Sequence, residues 1–425
     1  MCLAIAIITI ILIITSILFF PTIKIGKIKI GSYWFIALIS AIILLITKSV
    51  SIDSVITSFT ADTAVNPLKI LVLFISMTIL SIFLDEVGFF RYLAVKVAKK
   101  LKGNQIKLFF GFYALISFLT IFTSNDIIIL TFTPFICYYA KNTKINPIPY
   151  LISEFVAANT WSMALIIGNP TNIYLASAFN IDFITYLKTM ILPTILGAGC
   201  SLGILFLLFK KPLKLPMEAF NQEIETPNRF LLINGLIHLI SATILLAVSS
   251  YINLEMWIVS LTLACSLIIS NLIYLLTTKK RLNILKFTAI RAPWNLIPFV
   301  LSMFVLVLAL NEQGYTKIIS NFLSNFNEAY SYGVSGAIFA NLINNIPMSV
   351  LFSNIISNSP TAIYASIVAS NIAAFMTPIG ALAGIMWMSL LKTYGIKFSY
   401  KQYMLYGLTI GIPTLLMALL PLIWL

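Results

Sequence analysis

The sequence predicts an all-α polytopic membrane protein with about ten transmembrane helices plus two re-entrant hairpins in an inverted-topology repeat. Composition is the first reason, because 60% of the 425 residues are hydrophobic and only 9% are charged. Soluble globular proteins carry about 25% charged residues, which they need to cover a water-exposed surface. The second reason is a series of apolar stretches, and the third is a pair of polar interruptions within long apolar regions. This composition excludes a soluble enzyme, a disordered chain and a fibrous protein.

Each predicted span is an apolar stretch near the length of about 20 residues that crosses a bilayer as a helix. The first stretch has no basic residue before it, so it is interpreted as a retained helix and not as a cleaved signal peptide. The spans are predicted near 2–20, 32–49, 68–90, 148–178, 183–209, 230–250, 256–276, 294–311, 361–391 and 402–424.

Two apolar regions do not fit single helices. Region 106–140 is interrupted by the sequence TSND at 123–126 and by Pro134, and region 333–357 is interrupted by NNIP at 344–347. Each is long enough for two half-helices around a polar tip, which predicts two re-entrant hairpins. Such irregular backbone is tolerated at membrane depth only where it is buried in protein or lines a cavity.

The distribution of lysine and arginine gives the orientation. If both hairpins return to the side that they enter from, 23 of the 27 basic residues lie on one side, which is then cytoplasmic. Treating either hairpin as a full span would spoil this separation. The prediction places both chain termini outside, with the first hairpin opening to the cytoplasm and the second to the exterior.

Two halves of the sequence carry matching motifs in the same order. LDEVGF at 84–89 resembles LNEQGY at 310–315, and VAAN at 156–159 matches VASN at 368–371. The dipeptide Ile-Gly then recurs at the same offset of 212. Because the two hairpins open in opposite directions, the halves form an inverted repeat, which is typical of secondary transporters. The predicted divisions are scaffold helices 1–67, a first repeat 68–209, a cytoplasmic linker 210–229 and a second repeat 230–425.

Breaks in apolar helices are the candidate binding positions, because inverted-repeat transporters place solute and ions where unwound backbone meets at the bilayer midplane. The second copy lacks both the hairpin acid and the NPTN motif, so the two halves are not chemically equal. The candidate substrate- or ion-binding residues are Thr123, Ser124, Asn125, Asp126, Gly168, Asn169, Pro170, Thr171, Asn172, Asn344, Asn345, Thr377, Pro378 and Gly380, with Asn159 and Asn371 in supporting positions.

Two acids are candidates for coupling to a cation or proton. Asp126 is the single acid at a hairpin tip or helix break, and intramembrane ionisable groups are functional candidates by default. The alternative is that Asp126 only caps the second half-helix. Glu154 lies about one helical turn before Asn159. It could instead reach the membrane interface and pair with Lys141 or Lys144.

Other site chemistries find little support in the sequence. The basic residues lie in short loops, as orientation signals do, which argues against a nucleic-acid partner. The four cysteines are far apart, and no metal-ligand cluster or nucleophile–histidine pair occurs, so neither a metal site nor an enzyme is predicted. No Lys or Arg lies at a hairpin tip or break. This favours a neutral hydroxylated solute, or cation or proton exchange, over a multiply charged anion.

At these motifs the chain resembles the ion transporter superfamily. That superfamily includes arsenite/antimonite permeases, sodium/proton antiporters and divalent-anion/sodium symporters with a citrate transporter-like domain. The matching segments are SNDIIILTFTP at 124–134, AANTWSMALIIGNPTNI at 157–173, NLINNIP at 341–347 and SNIAAFMTPIGALAGIMW at 370–387. The arsenite-permease branch is the most similar. The anion-symporter pattern Ser-Asn-Thr is replaced in both hairpins.

The resemblance implies a scaffold domain, a transport domain built from the hairpins and their following helices, elevator-type alternating access and a homodimer. It leads to the expectation of a secondary active transporter in the inner membrane of a prokaryote, arsenite-permease-like and coupled to H⁺ or Na⁺, with no other cofactor. The alternatives are a sodium-coupled dicarboxylate or citrate symporter, a sodium/proton antiporter and, from another class, an ion channel.

Overall fold

The computed structural model describes residues 1–20, 22–25, 28–62, 66–101, 103–218, 226–357 and 359–425. Residues 219–225 of the predicted linker 210–229 lie outside the described residues, as do two lysines of the charge pattern, Lys27 and Lys102. The described chain is helical almost throughout, and the predicted all-α membrane architecture is confirmed.

The described residues of the first half form ten α-helices. They are α1 Cys2–Phe19, α2 Ser32–Ile46, α3 Ile52–Thr60, α4 Pro67–Glu86, α5 Phe89–Lys100, α6 Gln105–Phe122, α7 Asn125–Thr143, α8 Ile148–Trp161, α9 Pro170–Ala178 and α10 Phe183–Phe209.

The residues described in the second half form ten more. They are α11 Arg229–Val248, α12 Met256–Thr277, α13 Asn283–Arg291, α14 Leu296–Glu312, α15 Tyr315–Leu323, α16 Glu328–Ile343, α17 Asn345–Ile355, α18 Pro360–Ile372, α19 Leu382–Thr393 and α20 Tyr400–Leu419.

Seven described helices are individually long and apolar enough to cross a membrane, and they include α4, α6 and α10. Shorter apolar helices accompany them. The regions predicted near 148–178 and 361–391 are each divided into two α-helices by a segment that contains short 3-10 turns. The first is α8 followed by α9, and the second is α18 followed by α19.

The first hairpin is present, and its two arms open at the end of the molecule that carries most basic residues, called here the basic end. Gln105 at the start of α6 donates to Leu215 O at 2.7 Å and accepts from the Tyr150 hydroxyl at 3.2 Å. At the end of α7, Thr143 O accepts from Glu218 N at 3.0 Å. The start of α6 and the end of α7 therefore both lie beside the segment 215–218.

The second hairpin opens at the opposite end. Glu328 at the start of α16 accepts a hydrogen bond from Ser359, which precedes α18. From the break, α19 runs back to the basic end, because Thr393 and Ile396 line a cavity with Lys141 and Pro147. The two hairpins therefore have inverted orientations, as the sequence predicts.

The hairpins extend beyond their predicted bounds. The first occupies 105–143, not 106–140, and the second begins at Glu328, not at residue 333. Asparagine N-caps explain where both start. Asn104 Oδ1 accepts from Lys107 N at 2.9 Å, and Asn327 Oδ1 accepts from Tyr330 N at 3.3 Å. An asparagine at this position satisfies an otherwise unpaired amide of the first turn.

Three described elements are not anticipated by the sequence analysis. A short antiparallel hairpin pairs Thr22–Ile25 with Ile28–Gly31 and connects α1 to α2. Two short helices, α3 and α13, lie at the ends of longer ones. All three are too short to show apolar periodicity clearly in the sequence.

The helices pack mainly within two groups. In one, α4 packs on α11, α12 and α13, while α2 packs on α1 and α14. In the other, α8 packs on α6, α7 and α10, α18 packs on α16, and α20 packs on α10. Contacts between the groups include α4 with α7 and α9, and α14 with α17. The most buried of the seven spans, α4, lies at this junction.

Ion pairs hold both ends of α4. At the opposite end, Lys69 pairs with Asp62 and lies 2.6 Å from Glu255 Oε2 before α12. The Lys69 ammonium lowers the pKa of the exposed Asp62 carboxyl. At the basic end, Arg291 of α13 lies 2.7 Å from Asp85 Oδ2 and also pairs with Glu86. These contacts tie α4 to its neighbours α12 and α13.

Candidate functional site

Two glycines allow the chain to fold back tightly at the two helix breaks. A Cβ on Gly168 would lie 2.2 Å from Ser162 O, and a Cβ on Gly380 would lie 2.2 Å from Ala373 O. Real side chains do not approach a carbonyl that closely, so only glycine fits. Since the two glycines are the repeated Ile-Gly positions, the sequence repeat corresponds to one shared backbone geometry.

The α9 helix restarts after the first break through its NPT sequence. Asn169 caps α9, with its Oδ1 accepting from Thr171 N at 3.1 Å and from Thr171 Oγ1 at 3.0 Å. Pro170 occupies the first helical position, where a backbone N–H would have no partner within the helix, so its absence costs no hydrogen bond. Both residues therefore shape the break, and the amide of Asn169 is left to contact the other repeat.

Asn371 of α18 is the centre of a buried hydrogen-bond cluster that joins the two repeats. Its Oδ1 accepts from Asn169 Nδ2 at 3.1 Å and lies 2.8 Å from Ser162 Oγ. Its Nδ2 donates to Asn172 Oδ1 at 2.7 Å and to Ile367 O at 2.8 Å. The residue is completely buried. Beside it, the hydroxyls of Thr171 and Ser370 lie 2.9 Å apart.

The tip of the first hairpin is attached to the same cluster through Asn159. Asn125 Nδ2 donates to Asn159 Oδ1 at 3.0 Å, and Asn159 O lies 2.8 Å from Ser162 Oγ. Asn159 also donates to Phe155 O, four residues earlier, as Asn371 does to Ile367 O. The two supporting asparagines predicted from the repeat thus have equivalent backbone contacts.

Two oxygen atoms at this tip are buried without a hydrogen-bond partner. They are Ser124 Oγ and Asn125 Oδ1. Thr123, by contrast, turns back and donates to Leu119 O at 2.8 Å. Because buried polar atoms in folded proteins are nearly always satisfied, the two unpartnered oxygens are available to a ligand.

The tip of the second hairpin packs on the second break. Asn345 N donates to Gly380 O at 3.0 Å, and Asn344 Nδ2 donates to Ile379 O at 3.1 Å. Asn344 has a φ of 78° and a ψ of 153°, a sparsely populated backbone conformation outside the left-handed helical region. Asn345 Nδ2 also reaches Ser370 O at 3.4 Å, which connects this tip to the central cluster.

Thr377 and Pro378 lie at the second break. Thr377 donates to Asn341 Oδ1 at 2.6 Å, a contact between the break and the last turn of α16, and Pro378 lies in the non-helical segment before α19. Asn341, Ser162 and Ser370 are polar residues of the site that the sequence analysis missed. Ser370 could have been found, because it precedes Asn371 in the matching motif.

Asp126 follows the tip and is half-buried, with no hydrogen-bond or ion-pair partner among the described residues. It lies one turn before Leu130 on the same face of α7, and Pro134 continues that face. Leu130 and Pro134 line a cavity of about 710 Å³ at the basic end, together with Asp85, Arg91 and Arg291. The polar tip and this cavity therefore lie along one face of the helix.

Glu154 is completely buried in α8. The Thr133 hydroxyl lies 2.9 Å from its Oε1 and 3.1 Å from its Oε2, and the indole of Trp387 is adjacent. The alternative in which Glu154 reaches the interface and pairs with Lys141 or Lys144 is wrong. Its neighbours are those of a packed interior, where α7, α8 and α19 meet.

A family model described as citrate transporter matches residues 10–369, which is most of the chain. The chain belongs to the citrate transporter family. Its membership identifies a membrane transporter, in agreement with the resemblance to the ion transporter superfamily.

Curated relatives match most of the chain. A protein of Bacillus subtilis described as "Putative arsenical pump membrane protein" is 25% identical over 363 residues, covering 76% of this chain and 80% of that protein. The "Arsenical pump membrane protein" of Yersinia enterocolitica is 26% identical over 375 residues, covering 81% of this chain and 84% of that protein. The Escherichia coli K12 protein of the same description gives the same identity and coverage.

A solved structure shares the fold. The Alcanivorax borkumensis YdaH transporter superposes with a TM-score of 0.58 and 12% sequence identity, covering 100% of this chain and 97% of that one. At this identity the likeness concerns the fold alone. It agrees with the predicted polytopic all-α transporter architecture.

Proposed function

We propose that this protein is a secondary active transporter of a small hydroxylated solute, with arsenite as the foremost candidate, driven by a proton or sodium gradient. The observation that carries the proposal is a chain of polar contacts from one hairpin tip to the other. It runs from Asn125 through Asn159, Ser162 and Asn371 to the Ser370–Asn345 pair. A site shared by two inverted repeats is suited to alternating access.

The packing of the helices supports an elevator-type motion. Both hairpins and both broken helices belong to one group, whose helices pack on one another. The other group contains α4, which ion pairs fix at both ends. The proposed transport domain is the group that contains both hairpins, and it moves against the group that contains α4. On this interpretation the cavity beside α7 is the cytoplasmic approach to the tip.

The chemistry of the cluster supports a neutral, hydrogen-bonding solute. Its polar groups are amides and hydroxyls, and no Lys or Arg side chain contacts them in the described part of the chain. Asp126 at the tip would repel an anion. The unpartnered Ser124 and Asn125 oxygens can accept hydrogen bonds from hydroxyl groups or coordinate a cation. The descriptions of the bacterial relatives as arsenical pumps point to the same class of solute.

Coupling is assigned to Asp126, with Glu154 as the second candidate. Asp126 follows the unpartnered tip atoms and lies on the face of α7 that continues into the cavity. A carboxylate there can take up H⁺ or Na⁺ as the site changes sides. Glu154 is enclosed by Thr133 and Trp387 and lines none of the described cavities near it.

An anion symporter of the citrate type is the alternative, because three helix N-termini meet at the site. The starts of α7, α9 and α17 direct backbone N–H groups and positive dipole ends toward it. Sodium would then have to offset the charge of Asp126. For either solute, we place the protein in the inner membrane of a prokaryote as a homodimer.

Uptake into proteoliposomes tests these alternatives. Arsenite, citrate and sodium are each offered with a pH gradient, with a sodium gradient and with neither. We expect arsenite to accumulate only when a gradient is present. Accumulation of citrate with a sodium gradient would establish the alternative, and equal flux of ions without saturation would indicate a channel. Absence of transport for all three solutes would overturn the proposal.

A further inference from the structure

The segment 279–291 carries five basic residues and no acid, at the basic end of the molecule. It joins the end of α12 to α13. Its cations are Lys279, Lys280, Arg281, Lys286 and Arg291.

Only one of these five cations forms an ion pair in the described part of the chain. Arg291 holds Asp85 and Glu86 at the end of α4. Lys280 lies 5.3 Å from the centre of the Tyr274 ring, which is a cation–π contact and leaves its charge uncompensated. Lys279, Arg281 and Lys286 are exposed. Four positive charges are therefore available to an external anion.

An apolar face lies beside these charges. Phe287 is 47% exposed, Ile290 61% and Trp294 49%. Phe287 and Ile290 lie one turn apart on one side of α13, with Lys286 at its edge, and Trp294 follows the end of the helix, whereas Thr288 is buried against the protein. The Trp294 indole donates to Ala289 O at 2.7 Å, which fixes the ring against the end of the helix.

We propose that 279–294 is a binding surface for the headgroups of anionic phospholipids in the cytoplasmic leaflet. The aromatic and aliphatic face enters the boundary between headgroups and acyl chains, while the four unpaired cations contact phosphate groups. A short helix with this division of charge and apolar surface lies in the membrane interface, and each basic residue there adds attraction to an anionic leaflet. Free phosphate would match only the cations, not the apolar face.

A second basic segment at the same end provides a matched comparison. Lys210, Lys211 and Lys214 follow α10 and are exposed, as is Lys397 before α20. Among the described residues, Lys397 lies between the exposed Tyr394 and Tyr400, but none of these four cations belongs to the segment that carries Phe287, Ile290 and Trp294. They carry the same total charge as the four unpaired cations of 279–294.

Brominated lipids test the proposal on the full-length protein in phosphatidylcholine vesicles with or without phosphatidylglycerol. Bromine on the acyl chains quenches nearby tryptophans, and Trp294→Phe assigns the contribution of Trp294. We expect brominated phosphatidylglycerol to quench Trp294 more than brominated phosphatidylcholine at the same mole fraction. The variant with Lys279→Gln, Lys280→Gln, Arg281→Gln and Lys286→Gln should lose this preference, with apparent headgroup affinity lower on the order of tenfold or more.

The matched variant with Lys210→Gln, Lys211→Gln, Lys214→Gln and Lys397→Gln should keep the preference. Three results would overturn the proposal. They are equal quenching by the two lipids in the parent, equal loss in both four-site variants, and no quenching of Trp294 by either lipid. The last result is expected if a second protein surface covers α13. Thermal unfolding of each variant verifies that the fold is retained.

Discussion

Asn169 Nδ2 of the first repeat lies 3.1 Å from Asn371 Oδ1 of the second. Both side chains are buried, and the contact connects the restart of one broken helix to the helix that precedes the other break. Asn172 completes the pairing by accepting from Asn371 Nδ2 at 2.7 Å. The NPTN motif at 169–172 of the first repeat thus contacts the SN motif at 370–371 of the second. The second repeat has no NPTN motif, so these contacts have no counterpart at its own break.

Replacing Asn371 should destabilise the protein more than replacing another buried asparagine. Asn371→Ala leaves Asn169 Nδ2 and Asn172 Oδ1 without this partner in a buried site, and each such loss costs about 1–3 kcal/mol. Asn271 in α12 is equally buried, but its amide has a single hydrogen bond among the described residues, to Leu267 O at 2.8 Å. We expect Asn371→Ala to lower the thermal midpoint in detergent clearly more than Asn271→Ala. Equal shifts would contradict the central role of Asn371.

Alanine at either repeated glycine should be destabilising. The added methyl group in Gly168→Ala or Gly380→Ala meets a backbone oxygen that cannot move like a side chain, at a cost of about 1–3 kcal/mol. Gly199 and Gly203 in α10 are controls, because nothing lies within 4 Å of an added Cβ. There the substitution should be neutral or slightly stabilising. Thermal unfolding of the four variants tests this, and tolerance of both break substitutions would contradict the shared geometry.

Much of this architecture could be predicted because helix breaks leave local signals. Pro170, Gly168 and the TSND and NNIP motifs interrupt apolar runs, and lysine placement sets the direction of each hairpin. The partners of the polar residues could not be predicted in the same way. Asn371 contacts Ser162 and Asn169, which are distant in sequence, and Thr377 binds Asn341 only because the hairpin tip lies against the break. Such contacts depend on tertiary packing.

The sequence also left Glu154 undecided between an interfacial and an intramembrane position. Hydropathy around it is compatible with both, since it lies near one end of a predicted span. What decides its position is the packing of α7 and α19 over α8, which brings Thr133 and Trp387 to the carboxyl group. Neither neighbour is near Glu154 in sequence.

The orientation of the protein can be measured with two exposed lysines. Lys214 lies beside the loop that contacts the first hairpin, and Lys317 lies in α15 at the opposite end. In a background without the four native cysteines, a membrane-impermeant thiol reagent should label Lys317→Cys in intact cells. Lys214→Cys should be labelled only after permeabilisation, because the distribution of lysine and arginine predicts that the basic side is cytoplasmic. The reverse pattern would invert the predicted topology.

The two intramembrane acids should behave differently when their charge is removed. Asp126→Asn keeps the shape of the side chain, but it cannot release or bind a proton and is a weaker ligand for Na⁺. We expect it to abolish accumulation of solute against a gradient in proteoliposomes, while solute exchange in the absence of a gradient persists.

Glu154→Gln keeps an oxygen that accepts the Thr133 hydrogen bond. It should retain accumulation within about twofold, equivalent to less than about 0.5 kcal/mol. Thermal unfolding of both variants should stay close to that of the parent. If Asp126→Asn still concentrates solute and Glu154→Gln does not, coupling belongs to the buried acid, and Asp126 serves α7 only as part of its first turn.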